Sequence, residues 1–312
     1  MTTMRWVVLT AVAAVLALAG GIALGTGVLD TADPEPASAA DVPEQPRTTD
    51  LDAAARSLEE AAADGPGAAA VTDRLAGRNV LLVTLPEASE ETVADVAASL
   101  ADAGAITLGQ VALTERLLDP AERQYTAGVA REALADVDDV ATDGLADYDL
   151  VGAALARGLV APGSVEVDAP AGTVVDAFDR AGLIAVEERP TRRAGVLVVV
   201  TGNGRGYDSG RGELLSTVLG GLDAADVGTL VAGPVGSGRA EGAVGAVRSG
   251  PAAAEVSTVD AADLALGRVS AIVALSDEVG GTSGHYGTAP GADAVLPALA
   301  GSSAAPTAAP SP

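Results

Sequence analysis

Short runs of consecutive β-branched and aliphatic residues set the strongest limit on how this chain folds. GVLVVVTG, residues 195–202, and NVLLVTL, 79–85, contain no polar alternation. A strand with one face in water alternates apolar and polar side chains, so runs like these are strands covered on both faces. Covering both faces requires helices, and the sequence supplies them at the expected spacing. SEETVADVAASLADAG, 89–104, opens on a Ser89…Thr92 capping signal with an acidic first turn. It carries Val93, Val96, Ala97 and Leu100 on one face and stops at Gly104. AITLGQVAL, 105–113, is then the next strand, and strand–helix–strand implies a parallel sheet.

The same alternation continues along the chain. TERLLDPAERQYTAGVAREALADV and DYDLVGAALARGLV, within 114–160, read as helices, and TVVDAFDRAGLIAVEE, 173–188, as helix then strand. ELLSTVLGGLDAAD, 213–226, is a helix and GTLVAGP, 228–234, a strand. AEVSTVDAAD, 254–263, and GRVSAIVALSDEVGG, 267–281, close the domain, the second as a helix despite its Val and Ile. The expected fold is α/β, a Rossmann-like doubly wound, mostly parallel sheet, preceded by one N-terminal hydrophobic helix. Aromatic residues make up only 2 % of the chain, so Ala, Val and Leu must fill its core.

The hydrophobic helix is the uncharged run from Trp6 to Leu29. As a helix it measures about 36 Å, enough to cross a hydrocarbon core of roughly 30 Å. Arg5 precedes it and Asp30, Asp33 and Glu35 follow, which leaves the N-terminus cytoplasmic and the remainder exported. Its length favours a retained anchor over a cleaved signal peptide. So does the position of the small-residue site Ala37-Ser38-Ala39, well beyond it and behind Asp and Pro. The organisation expected is an anchor at 1–29, a flexible acidic Pro/Ala-rich linker with a short helix at 30–70, an α/β domain at 71–299 and a disordered tail at 300–312. The short helix is expected to stop at Gly65-Pro66. The α/β domain is alternatively two βα halves, 71–160 and 161–299.

Composition excludes several chemistries. Cysteine is absent, so no disulfide, thiolate nucleophile or zinc–thiolate site exists. Every basic residue is arginine, and a Walker A loop, which needs lysine, is excluded. The net charge of −25 with no basic block argues against nucleic acid as a partner.

Two places remain for site chemistry. The loop TGNGRGYDSGRGE, 201–213, lies between a strand and a helix, where α/β folds hold ligands. Gly202, Gly204 and Gly206 are candidates for a ligand-binding loop there, although their spacing does not meet G-x-G-x-x-G. The second place is SDEVGGTSGHYGT, 276–288, which holds the chain's one histidine. His285 with Asp277 and Glu278 is a weak candidate metal site. Both Met residues sit at the extreme N-terminus, so the folded domain lacks soft ligands for Cu(I). No G-x-S-x-G elbow accompanies His285, no catalytic constellation is found, and no cofactor is expected.

Five segments in order resemble the MctB-type family of actinobacterial copper-transport, pore-forming outer-membrane proteins. They are LALAGGIALGTG, LAGRNVLLVTLPEA, GVLVVVTG, AEVSTVDAADLALGRVSAIVALSDEVGG and HYGT, spread over residues 16–288. The resemblance implies copper ions as the transported partner, a role in copper efflux and homeostasis, a place in the cell envelope and a pore or channel component. By resemblance the envelope site is the outer membrane; by the hydrophobic run it is an anchor in the cytoplasmic membrane. Family members carry a heptad segment after the membrane helix, which the Pro/Ala-rich spacer replaces here. Homo-oligomer formation through that segment is therefore open. The alternative to copper transport is a membrane-tethered, non-catalytic envelope scaffold or ligand-binding α/β domain.

Overall fold

Residues with Val, Leu or Ile at consecutive positions do form the strands at the centre of the structure. The computed structural model describes residues 55–57, 59–207, 210–224 and 227–298. The run Trp6–Leu29, the spacer 30–50 and the tail 300–312 lie outside the described residues. Among the described residues no helix is long and apolar enough to cross a membrane.

The chain divides between Leu58 and Glu59, and residues 55–57 before that division are helical. After it, a helical segment continues past Gly65-Pro66, where a stop is expected. A π-helical turn, Ala63–Gly67, leads into α1, Ala68–Val71. Proline has no N–H to donate, and the wider turn lets the Ala68 N–H reach the carbonyl of Ala63 instead.

The elements that follow are β1 (Asn79–Thr84), α2 (Glu90–Asp102), β2 (Ile106–Leu113), α3 (Arg123–Ala133), α4 (Asp147–Leu159), β3 (Val165–Glu166), α5 (Ala169–Arg180) and β4 (Ile184–Glu188). Then come β5 (Arg192–Arg193), β6 (Val196–Val200), α6 (Gly210–Asp223), β7 (Gly228–Ala232), α7 (Ala243–Ser249), β8 (Ser257–Val259), α8 (Ala265–Val279) and β9 (His285–Tyr286). Ser89 caps α2 as expected, its side chain accepting the Thr92 N–H at 3.1 Å. Asp168 caps α5 in the same way, at 2.8 Å from the Ala171 nitrogen.

One sheet has the order β4-β2-β1-β6-β7-β8-β9, and β3 pairs only with β5. All of its pairings are parallel except β2 with β4, so the fold is mixed α/β with a mostly parallel sheet. A short turn centred on Gly182, with φ +68°, separates α5 from β4, and β4 runs back along β2.

Alternate residues of β1 and β6 serve two cores. Val80, Leu82, Val196, Val198 and Val200 pack with α2 and α8 on one face. Leu81, Val83, Leu197 and Val199 pack with α4, α6 and α7 on the other. Burying each such side chain contributes roughly 1.5–3 kcal/mol before entropy is counted. With so few aromatic rings the helices come close together. A Cβ at Gly221 of α6 would sit 2.7 Å from the Gly152 Cα of α4.

The sequence leaves β1 toward β2 on one side and returns as β6 on the other. The carboxyl ends of β1 and β6 are therefore the switch point, where loops diverge and leave a crevice.

Candidate functional site

Gly202, Gly204 and Gly206 lie at that switch point, on the loop after β6. The loop after β1 presses against them. A Cβ at Gly202 would lie 1.9 Å from the Glu87 carbonyl oxygen, and one at Gly204 2.2 Å from Glu87 Oε2. Glu87 itself is held at φ +69°. Glycine at 202 is thus demanded by the approach of two backbones, at 204 only the movable Glu87 carboxylate stands in the way of a side chain, and Gly206 has φ +107° and nothing crowding it.

The second candidate place is the far edge of the sheet, where β8 meets β9. Arg248, on α7, reaches this edge with its side chain only 2 % exposed. Its Nε donates to Thr258 Oγ1 at 2.8 Å, one terminal nitrogen to the Tyr286 carbonyl at 2.7 Å and the other to Asp260 Oδ2 at 2.5 Å. Asp260, fully buried at the end of β8, also accepts the N–H groups of Thr288 at 2.8 Å and Ala289 at 3.2 Å. A buried ion pair is tolerated only when its remaining donors and lone pairs are satisfied, and here they are. Gly287, at φ +133°, is required because a Cβ there would lie 2.2 Å from Asp260 Oδ1.

His285 joins this network through Thr258, whose Oγ1 lies 3.0 Å from His285 Nδ1. Thr258 also accepts from Arg248, and the direction of its contact with Nδ1 follows the imidazole tautomer. Burial, then the Arg248 charge, lowers the imidazole pKa against a smaller opposing effect of Asp293. The ring is accordingly neutral at physiological pH. The carboxylate nearest the His285 backbone is that of Asp293, which accepts its N–H at 2.8 Å.

Among the described residues neither Asp277 nor Glu278 hydrogen-bonds or ion-pairs with His285. Glu278 turns instead toward β8, 8 % exposed, accepting from the hydroxyls of Ser257 and, at 3.3 Å, Ser283. Burial pushes its pKa up to about 7. Ser257 in turn accepts the Gly284 N–H at 3.0 Å, which fixes the entry to β9. Among the described residues no group of three or more His, Cys, Asp or Glu side chains is placed to hold a metal ion.

Sequence reasoning overlooked Arg248 and Asp260. Asp260 is visible as a carboxylate directly following the β-branched run VSTV, a position at a strand's carboxyl end. Its partner is twelve residues upstream with no local signal.

These residues fall inside a region shared with known proteins. The family described as "Copper transport outer membrane protein, MctB" matches residues 1–297. The protein named Copper transporter MctB from Mycobacterium tuberculosis (strain ATCC 25618 / H37Rv) is 31 % identical over 238 residues, 73 % of this chain and 76 % of that protein. The protein of that name from Mycobacterium bovis (strain ATCC BAA-935 / AF2122/97) matches to the same extent. The one from Mycobacterium leprae (strain TN) is 29 % identical over 237 residues, 72 % of this chain and 75 % of that protein. On a match that runs through the α/β domain and both candidate sites, the chain belongs to the MctB family of copper transport proteins.

Proposed function

We propose that the chain acts in copper transport at the cell envelope, as a component of an efflux route that keeps intracellular copper low. The observation that carries this reading is the family match over residues 1–297, together with relatives named as copper transporters. The hydrophobic run Trp6–Leu29 supplies an anchor and places the α/β domain on the exported side. In this reading His285 serves the β8–β9 edge through Thr258 and is not a copper ligand. Copper in this reading is cargo that the domain does not store. The numerous surface carboxylates attract cations without enclosing them.

The test is cell-associated copper in a deletion strain under copper stress, restored with the full-length gene or with its His285→Ala form. Copper should rise on deletion and fall to the parental level with either gene. No change on deletion would leave the tethered scaffold as the better reading. A normally folded His285→Ala protein that fails to restore tolerance would make His285 a ligand.

A further inference from the structure

The loop that carries Gly202 and Gly204 also holds one of the chain's two asparagines, Asn203, directly before Gly204. An asparagine carboxamide can be attacked by the main-chain nitrogen that follows it, because the two are held close enough to close a five-membered ring. A folded chain suppresses this attack in two ways. A side chain on the next residue hinders the approach, and a hydrogen bond holds the attacking N–H.

Neither restraint acts at Asn203. Gly204 has no Cβ to hinder the approach. Among the described residues its N–H has no acceptor, and the Asn203 carboxamide has no hydrogen-bond partner. Asn203 is exposed, so water reaches it. Its Oδ1 lies over Gly236 of the loop after β7, where a side chain would collide with it. The other asparagine, Asn79, has the same side chain without the same opportunity. The nitrogen after it belongs to Val80, a β-branched residue fixed inside β1 between β2 and β6.

We propose that Asn203-Gly204 is a site of spontaneous deamidation. The Gly204 nitrogen gives its proton to solvent base and bonds to Asn203 Cγ, and the Cγ–Nδ2 bond breaks to release ammonia. Water then opens the cyclic imide at either carbonyl, leaving aspartate or isoaspartate at 203. Water is the only reagent, and nothing is oxidised or reduced. Both products add a negative charge beside Glu87, whose exposed carboxylate lies against Gly204. Isoaspartate also lengthens the main chain by one carbon directly after Gly202, which has no spare room against the Glu87 carbonyl. The modification therefore loosens the junction of the loops after β1 and β6 at the switch point. It is independent of the copper reading.

The test is to keep the full-length chain in detergent at neutral and at mildly alkaline pH and to follow residue 203 by peptide mass spectrometry. Asn79 is the internal reference, and isoaspartate is read with a protein isoaspartate methyltransferase. Conversion at 203 should run at least roughly tenfold faster than at Asn79, quicken with pH and give mainly isoaspartate. Gly204→Ala asks only the Glu87 side chain to move, and should slow conversion about tenfold at an unchanged unfolding temperature. If that variant fails to fold, the product decides, because direct hydrolysis of the amide yields aspartate alone. The proposal is overturned by a rate at 203 no higher than at Asn79, by aspartate as the sole product, or by the parental rate in folded Gly204→Ala.

Discussion

Arg248 and Arg211 both lie toward the carboxyl ends of strands, and they differ in what surrounds them. Arg248 spends every nitrogen on the β8–β9 edge, on Thr258, Asp260 and the Tyr286 carbonyl. Arg211 stacks on Tyr207 and, among the described residues, leaves Nε and Nη2 buried without acceptors. A satisfied buried arginine organises a structure, whereas one with buried unpaired donors costs stability. The contrast also explains why the one histidine is a poor guide to function. His285 belongs to the satisfied network, where its neighbours occupy it.

The largest effect that would break this comparison is at Arg248. Arg248→Met leaves the Asp260 carboxyl buried without its cation, and should destabilise the fold by about 3–5 kcal/mol. Chemical denaturation measures this. A loss under 1 kcal/mol would mean that the edge does not depend on the pair.

Glu278 sharpens the comparison with a buried charge that has no cation. Its carboxyl loses its proton near 4.5 when unfolded and only at about 7 in the fold. Between those values the folded state holds the extra proton, so stability contributed by the neutral form falls as pH rises through that window. Glu278→Gln stays neutral throughout. Its advantage over the parent should grow by about 3 kcal/mol between pH 4 and pH 8. Denaturation series at the two pH values test it, and parallel stability curves would show that Glu278 is ionised in the fold.

The smallest expected effect is Arg211→Met, which keeps a long side chain over Tyr207 and removes the unpaired donors. Stability should stay within about 1 kcal/mol of the parent, on the stabilising side. A loss comparable to that of Arg248→Met would erase the distinction between the two arginines.

Much of the sheet was legible before any coordinates. NVLLVTL and GVLVVVTG have the continuous apolar character of doubly covered strands, and Ser89 caps α2 because its hydroxyl acts on a neighbour three residues away. Such signals are local and survive in one dimension. Pro66 marks the limit of that reading. A proline usually ends a helix, yet here a π turn carries the chain past it into α1. Glu59 shows the same limit from the other side. Its carboxylate accepts the Leu266 N–H in the first turn of α8, whose capping position is held by Leu264 without a side-chain bond. The donor and acceptor of that cap are some two hundred residues apart in sequence.

Alone, the sequence determined the central strands β1, β2, β6 and β7 and most of the helices beside them, the parallel character of most of the sheet, the absence of thiolate and lysine chemistry and the family, while α7, β3, β5 and β9 escaped it. Periodicity, capping and composition act within a few residues of themselves. Only the tertiary structure decided that β4 turns back antiparallel and that Glu87 fills the space beside Gly202 and Gly204. The same holds for His285, which answers to Thr258 and Asp293 instead of Asp277 and Glu278, and for the division between a satisfied Arg248 and an unsatisfied Arg211. Whether a buried charge or donor finds a partner depends on which distant segments the sheet order brings together, and no local pattern encodes that.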